Sequence, residues 1–143
     1  MIELVYISRA AKRFKDEELV DMLATFRKNN AEASISGMLL YDGHGTFIQA
    51  IEGSAEKIKT LYNKITHDTR HTSVVLLSEK TVSARKFASW QMGFSLIDQS
   101  VVSKLNGYSD FMISELPNVD NERRSSIAHE LLFYFREKHN INK

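Results

Sequence analysis

Two hydrophobic periods alternate along this chain, and the order in which they alternate constrains its fold more than any other feature. A two-residue period over residues 2–8 predicts a strand with two apolar faces, which is typical of a strand inside a sheet. A helical stripe over residues 16–28 follows, with Asp16 placed to cap it. Residues 35–41 and 46–52 then predict two strands joined by a glycine-rich turn, which together form a β-hairpin.

The pattern continues with a second helix and two more strands. Ser54 is placed to cap a helix that ends near residue 67, and strands are predicted over residues 74–78 and 89–97. The resulting order, β-α-β-β-α-β-β, is that of a ferredoxin-like domain of the α+β class, a mixed sheet with two helices on one face. We therefore expect a ligand to bind between the two helices, against the strands.

Residues 98–143 differ in their hydrophobic pattern from the part of the chain that precedes them. Residues 98–113 are weakly helical, a link around Pro117 follows, and residues 121–139 predict a better helix. A sheet with helices on one face leaves its other face uncovered. We therefore divide the chain into a ligand-binding domain of residues 1–97 and a C-terminal helical segment that covers the second face of the sheet.

The composition excludes several kinds of partner and chemistry. Lys and Arg number 19 against 18 Asp and Glu, so no strong field attracts nucleic acid or an acidic membrane. The chain has no cysteine, which excludes thiolate catalysis, and its five histidines lack the spacing of a metal site. No signal-peptide pattern and no membrane-length apolar run is present. We expect a cytoplasmic protein without a metal, a nucleic acid or a membrane partner.

Gln49 is unusual because it lies in the middle of an apolar strand. A buried carboxamide without a partner costs about 1–3 kcal/mol, so it needs hydrogen bonds. The two-residue period places Gln49 and Tyr6 on the same side of the sheet, and Asn29 and Asn30 follow the first helix. Such a set suits a flat heteroaromatic ligand. The alternatives are an ordinary buried tyrosine, a polar residue on an edge strand, and an asparagine pair that ends the helix.

Charged residues on and after the second helix are further candidates for ligand contacts. Lys64 and Asp68 are four residues apart, which is the spacing of a surface ion pair or of two contacts to a ligand along the helix. Arg70 and His71 come just after the helix, where cations are favoured by its dipole and where a phosphate could be bound. Glu52 lacks a partner acid or base, so we expect a strand-end hydrogen-bonding group and no enzyme.

Taken together, these residues resemble the BLUF family of blue-light sensors that use flavin. The resemblance covers residues 2 to about 97, and its motifs occur in the family's order and at similar separations. The matching segments are Leu4-Val5-Tyr6-Ile7-Ser8, Asn29-Asn30 with residues 35–40, residues 47–53, Asp68-Thr69-Arg70-His71 and residues 85–92.

The resemblance implies FAD bound noncovalently between the two helices, with FMN or riboflavin as alternative cofactors. It implies that Tyr6 donates an electron and then a proton to the photoexcited flavin through Gln49. The amide of Gln49 would be left rearranged, with a changed hydrogen bond to the flavin and a red-shifted absorption. Trp90 and Met92, on the fifth strand, would relay the signal.

The same resemblance implies a set of cofactor contacts. Asn30 would hold the carbonyl edge of the ring with Asn29 beside it, and other residues would meet the pyrimidine, ribityl or outer parts. These other residues are Lys64, Asp68, Arg70 and His71. The chain departs from the family's common residues with Ser36 for Thr, Ile51 for Leu and Lys64 for Arg. The first two are interpreted as packing changes, whereas the third loses a planar guanidinium.

The output of such a sensor is open at the level of sequence. The C-terminal segment is too short for a cyclase or phosphodiesterase domain, which favours signalling by contact with an unidentified downstream protein. The apolar helix face of Ile127, Leu131 and Phe135 packs on the chain's own sheet or builds a homo-oligomer. Two rival functions are a non-photoactive ferredoxin-like ligand-binding regulatory domain and a small flavoenzyme.

Overall fold

The computed structural model describes residues 1–12, 14–88, 92–96 and 128–133, which form a five-stranded sheet and the helices packed on it. The elements are β1 (Ile2–Ala10), α1 (Asp16–Glu32), β2 (Ser36–Tyr41), β3 (Thr46–Gly53), α2 (Ala55–Thr66), β4 (His71–Thr81) and β5 (Gly93–Leu96). The strand order is β4-β1-β3-β2-β5. Neighbouring strands are antiparallel except β2 and β5, which are parallel. The predicted ferredoxin-like α+β fold with a mixed sheet is confirmed.

The β2–β3 turn forms because its residues accept backbone conformations that most residues avoid. Gly43 and Gly45 have φ angles of 81° and 105°, which are accessible to glycine without steric cost. The carboxylate of Asp42 accepts hydrogen bonds from the backbone N–H of His44 at 2.7 Å and of Thr46 at 2.9 Å. The predicted hairpin is therefore present, and its turn is fixed by a side chain as well as by glycine.

The sheet separates two apolar layers. The layer under α1 and α2 contains Leu4 and Tyr6 from β1, because alternate residues of a strand point to the same face. The opposite layer contains Val5 from β1, and the helical residues 128–133 pack on it. For the described residues 128–133, this packing confirms the prediction that a C-terminal helix covers the second face of the sheet. The predictions for residues 98–127 and 134–143, with the division of the chain at residue 97, lie outside the described part.

Several element boundaries differ from the predicted ones. Helix α1 continues through Asn29 and Asn30, so the interpretation of this pair as a helix end was wrong. The chain leaves the helix only at Ala33, and Ser34 takes the left-handed conformation with φ of 54°. At the other end, Lys15 rather than Asp16 occupies the N-cap position, and its backbone N–H donates to the Glu18 carboxylate at 3.1 Å. The N-cap of α2 is Ser54, as predicted.

The last two strands differ in length from their predictions. Strand β4 spans eleven residues, because its pairing with β1 continues along the whole length of that strand. Within the described residues, strand β5 is Gly93–Leu96, so Met92 lies just before it, whereas residues 89–91 and 97 of the predicted strand lie outside the described part. Trp90 lies outside the described residues. Within the described part of the chain, no helix combines the length and the apolar character that crossing a membrane requires.

Candidate functional site

The centre of the site is a hydrogen-bonded pair formed by Tyr6 and Gln49. These residues are direct partners in the β1–β3 register, and both side chains are only 3% exposed. The Tyr6 hydroxyl donates to Gln49 Oε1. Gln49 Nε2 in turn donates to the thioether sulfur of Met92 at 3.2 Å. Strand β3 is central in the sheet, so the alternative that Gln49 is a polar residue on an edge strand was wrong.

Burial fixes the protonation state of the tyrosine. The low-polarity surroundings raise the pKa of the Tyr6 phenol far above its ordinary value of 10, and Tyr62 and Asp68 raise it further. The Tyr62 ring lies 5.7 Å away between centroids. At neutral pH Tyr6 is therefore a neutral hydrogen-bond donor. Because the Met92 sulfur can only accept, the carboxamide of Gln49 presents its nitrogen to Met92 and its oxygen to the Tyr6 hydroxyl, which donates.

A cleft of about 180 Å³ lies beside this pair, between α1 and α2. Its walls are mostly apolar, and its polar groups come from both helices, from β1 and from the α2–β4 connection. The lining residues that the sequence analysis selected are Tyr6, Asn29, Asn30, Lys64, Asp68, Arg70 and His71. Gln49 does not line the cleft, but it is hydrogen-bonded to Tyr6, which does. The sequence-predicted residues are therefore brought together, apart from Trp90, which lies outside the described residues.

Asp68 and Arg70 form an ion pair at the rim of the cleft. Arg70 Nε lies 3.0 Å from both carboxylate oxygens of Asp68, and Arg70 Nη2 lies 2.5 Å from Oδ2. The hydrogen bonds from Arg70 hold the pKa of the Asp68 carboxyl below its ordinary value. Asp68 lies beyond the end of α2 at Thr66, so the alternative of an ion pair with Lys64 was wrong.

His71 offers an unused polar atom at the cleft. Its Nδ1 is buried and has no hydrogen-bond partner among the described residues. Burial lowers the pKa of the His71 imidazole, which favours the neutral ring. The ring packs edge-on against Phe47, with 6.3 Å between centroids. A neutral imidazole can accept or donate one hydrogen bond at Nδ1 according to its tautomer, so this atom is suited to a polar ligand.

These residues fit a flavin. A flavin ring has two apolar faces and an edge of carbonyl and ring-nitrogen groups, which requires apolar walls and a few amides. The cleft provides both, with Met22, Phe26, Leu39 and Ile65 as walls and two asparagine amides among its polar groups. Lys64 and the unpartnered His71 Nδ1 add groups that can contact the more polar parts of such a molecule.

Glu52 is a hydrogen-bonding centre on the opposite face of the sheet. Its side chain is fully buried and accepts from the Ser36 hydroxyl at 2.8 Å and from the backbone N–H groups of Lys86 and Phe87 at 2.9 and 2.7 Å. Arg85 Nη1 donates to the same hydroxyl at 2.8 Å. The expected hydrogen-bonding role of Glu52 is confirmed. Ser36 was interpreted as a packing change, but its hydroxyl also has a polar role, because it donates to Glu52 and accepts from Arg85.

Comparisons with known proteins agree with this fold and site. A family model described as BLUF, sensors of blue-light using FAD, matches residues 1–93. Photoactivated adenylate cyclase subunit beta of Euglena longa is 37% identical over 90 residues, which are 62% of this chain and 10% of that protein. A bacterial light-regulated adenylyl cyclase has a TM-score of 0.70 at 33% identity, covering 77% of this chain and 34% of that chain. BlrB, a BLUF protein in its dark state, has a TM-score of 0.68 at 25% identity, covering 90% and 96%.

The chain belongs to the BLUF family, whose members are sensors of blue light that use FAD. The predicted family and the predicted cofactor are therefore confirmed. The matched region spans 10% of the length of the Euglena cyclase subunit. The cyclase activity in the name of that subunit is a property of that protein. The roles of the individual site residues remain predictions.

Sequence reasoning missed two contacts, one that involves Met92 and one on the opposite face of the sheet. Arg27 of α1 donates from Nε to the backbone carbonyl of Met92 at 3.0 Å. Glu3 is 1% exposed and lies 3.1 Å from His129 Nε2. An exposed arginine on an amphipathic helix looks like any solvated residue, so no sequence signal marks Arg27. Glu3 did carry a signal, because it is a charged residue within an otherwise apolar strand.

Proposed function

We propose that this chain senses blue light through a hydrogen-bond chain that runs from Tyr6 through Gln49 to Met92. The single observation that most supports this proposal is that Tyr6 donates to Gln49 and Gln49 donates to Met92, beside a cleft suited to a flavin. Family membership favours this function over a non-photoactive ligand-binding domain and over a flavoenzyme.

The cleft residues would hold the cofactor. Asn30, which is 3% exposed, would fix the carbonyl edge of the ring, with Asn29 beside it. Lys64 would meet the ring edge or the ribityl chain, and the Asp68–Arg70 pair and His71 would bind the outer part. When bound, FAD supplies absorption of blue light and a strongly oxidising excited state.

After excitation by light, the three hydrogen-bonded residues act in a fixed order. Tyr6 gives up an electron, and its phenolic proton leaves through the hydrogen bond to Gln49 Oε1. When the electron and the proton return to Tyr6, the carboxamide of Gln49 is left rotated or tautomerised. A rotated amide no longer presents Nε2 to the sulfur of Met92, so the 3.2 Å contact is lost. No net chemistry occurs, and the change of hydrogen bonds is the signal.

The signal would leave through the fifth strand and the C-terminal segment to another protein. Met92 directly precedes β5, and residues 128–133 cover the face of the sheet opposite the cleft. Trp90 is proposed as part of this relay on the strength of the resemblance. We propose residues 98–143 as the output segment, a downstream protein as the partner, a homo-oligomer as the assembly and the cytoplasm as the location. No enzymatic activity of the chain's own is proposed.

The donor role is tested with the variant Tyr6→Phe, loaded with FAD. Phenylalanine keeps the ring but lacks the hydroxyl, so FAD should bind while the red-shifted state after blue light is lost. The matched control is Tyr41→Phe, because the Tyr41 hydroxyl is buried without a partner among the described residues and lies outside the cleft lining. A red-shifted state that persists in Tyr6→Phe would contradict the assignment of Tyr6 as donor.

A further inference from the structure

Met92 is held at two points by two different elements. Its sulfur accepts the hydrogen bond from Gln49 of β3 at 3.2 Å, and its backbone carbonyl accepts from Arg27 of α1 at 3.0 Å. Met92 is 2% exposed, whereas Arg27 reaches its carbonyl from an exposed position on α1. Arg27 and Met92 are 65 residues apart in sequence, which makes this a tertiary contact rather than a local one.

The position of Met92 in the chain explains why its carbonyl needs a donor. Pairing between β2 and β5 begins at Gly93 opposite Met38, so Met92 lies one residue outside the ladder. A buried carbonyl that is outside a ladder must find another partner or remain unsatisfied at a cost. The guanidinium of Arg27 provides that partner. Within the described part of the chain, no carboxylate forms an ion pair with Arg27 that would draw it away.

Helix α1 connects this contact to the cleft. Met22, Phe26 and Asn30 are spaced four residues apart and line the cleft, because residues at i and i+4 share a helix face. Arg27 lies next to Phe26 on the neighbouring face. A helix is a stiff element, so the residues that would contact a flavin and the residue that holds Met92 move together.

We propose that Arg27 is a positioning residue that holds the main chain of Met92 so that its sulfur faces Gln49 in the dark. After Gln49 rearranges, the Arg27 contact is the one that remains and limits how far the segment before β5 moves. Arg27 thereby sets the rate at which Met92 returns. This inference rests on the proposed role of Gln49 and Met92 in signalling.

The test uses the full chain loaded with FAD and carrying ¹³C-methyl methionine, with the Met92 signal assigned by Met92→Leu. Arg27→Ala keeps helix propensity but removes the guanidinium donor, and Lys28→Ala is the matched control at the next exposed position. In the dark, we expect Arg27→Ala to move the Met92 methyl resonance and Lys28→Ala to leave it in place. After blue light, we expect recovery of Arg27→Ala to be about three- to tenfold slower, as for loss of one hydrogen bond.

The outcomes separate this inference from the function on which it rests. An unmoved Met92 resonance in Arg27→Ala, an equal movement in Lys28→Ala, or an unchanged recovery rate would overturn the positioning role. The methyl measurement is made in the dark and does not depend on photochemistry. An unaltered chain that shows no red shift after illumination would overturn the proposed function instead, while the dark spectra still decide whether Arg27 positions Met92.

Discussion

Burial governs the behaviour of Tyr6 and Gln49 more than neighbouring charge does. Tyr6 and Gln49 are each 3% exposed, and burial is the largest cause of the raised pKa of the Tyr6 phenol. A neutral phenol in a dry site keeps its proton until it is oxidised, which ties proton release to electron release. The same burial makes any loss of the Gln49 hydrogen bonds costly, so two discrete arrangements of this amide are favoured over a continuum.

The two neighbouring asparagines permit a matched test of cofactor binding at the residue scale. Both line the cleft, but Asn30 is 3% exposed whereas Asn29 is an exposed residue. We expect Asn30→Ala to weaken FAD binding about tenfold, because a buried amide contact is worth roughly 1.5 kcal/mol. Asn29→Ala should have a smaller effect. The measurement is the dissociation constant of FAD from titration of its fluorescence, and equal losses in the two variants would contradict the proposed role of Asn30.

The sequence predicted the inner half of this site better than its rim. The two-residue period places Tyr6 and Gln49 on one face, and the structure makes them direct partners. The rim depends on where α2 ends. Asp68 lies past that end, where a turn brings it to Arg70, and a helical spacing rule applied across the end selects the wrong partner, Lys64.

At the scale of elements, the C-terminal helix is joined to the sheet by a buried carboxylate. Glu3 of β1 lies 3.1 Å from His129 Nε2, 3.3 Å from Lys86 Nζ and 3.7 Å from Lys80 Nζ. Burial raises the pKa of the Glu3 carboxyl, but the hydrogen bond with His129 and the charges of Lys86 and Lys80 outweigh it. The pKa therefore lies below its ordinary value of 4.5.

The lowered pKa of Glu3 predicts a specific pH dependence of stability. Because folding lowers the pKa of Glu3, its contribution is fully present above about pH 4.5, the ordinary value, and is lost as the pH falls below it. We expect Glu3→Gln to cost about 1–3 kcal/mol of unfolding free energy near neutral pH and less at pH 3. Urea unfolding at a series of pH values measures both. A cost that is constant between pH 7 and pH 3 would contradict the prediction.

The type and order of the elements could be predicted from periodicity, whereas several of their ends could not. The Asn29-Asn30 pair has a composition typical of a helix end, yet the helix continues through it to Glu32. Packing of Asn30 against the cleft outweighs its intrinsic preference, because that side chain is buried. Strand β5 begins at Gly93, where its pairing with β2 begins, and this pairing is a long-range property that a local pattern does not contain.

At the scale of the whole molecule, one sheet separates the side of the flavin cleft from the side covered by the C-terminal helix. The cleft and the Tyr6–Gln49 pair lie under α1 and α2, whereas Glu3, Glu52 and residues 128–133 lie on the opposite face. Alternate residues of β1 and β3 point to the two sides, so Gln49 is one residue away from residues of the layer that packs against the C-terminal helix. The loop residues Lys86 and Phe87, which bind Glu52, contact both that layer and the strand that carries Gln49.

The most direct measurement of the central claim is the light-minus-dark absorption spectrum of the FAD-loaded chain, compared with that of Gln49→Leu. Leucine has a similar size but can neither donate nor accept a hydrogen bond, so it removes the switch while FAD still binds. The account predicts a red-shifted band after blue light in the unaltered chain and none in Gln49→Leu. The same red-shifted difference spectrum in both proteins would contradict it.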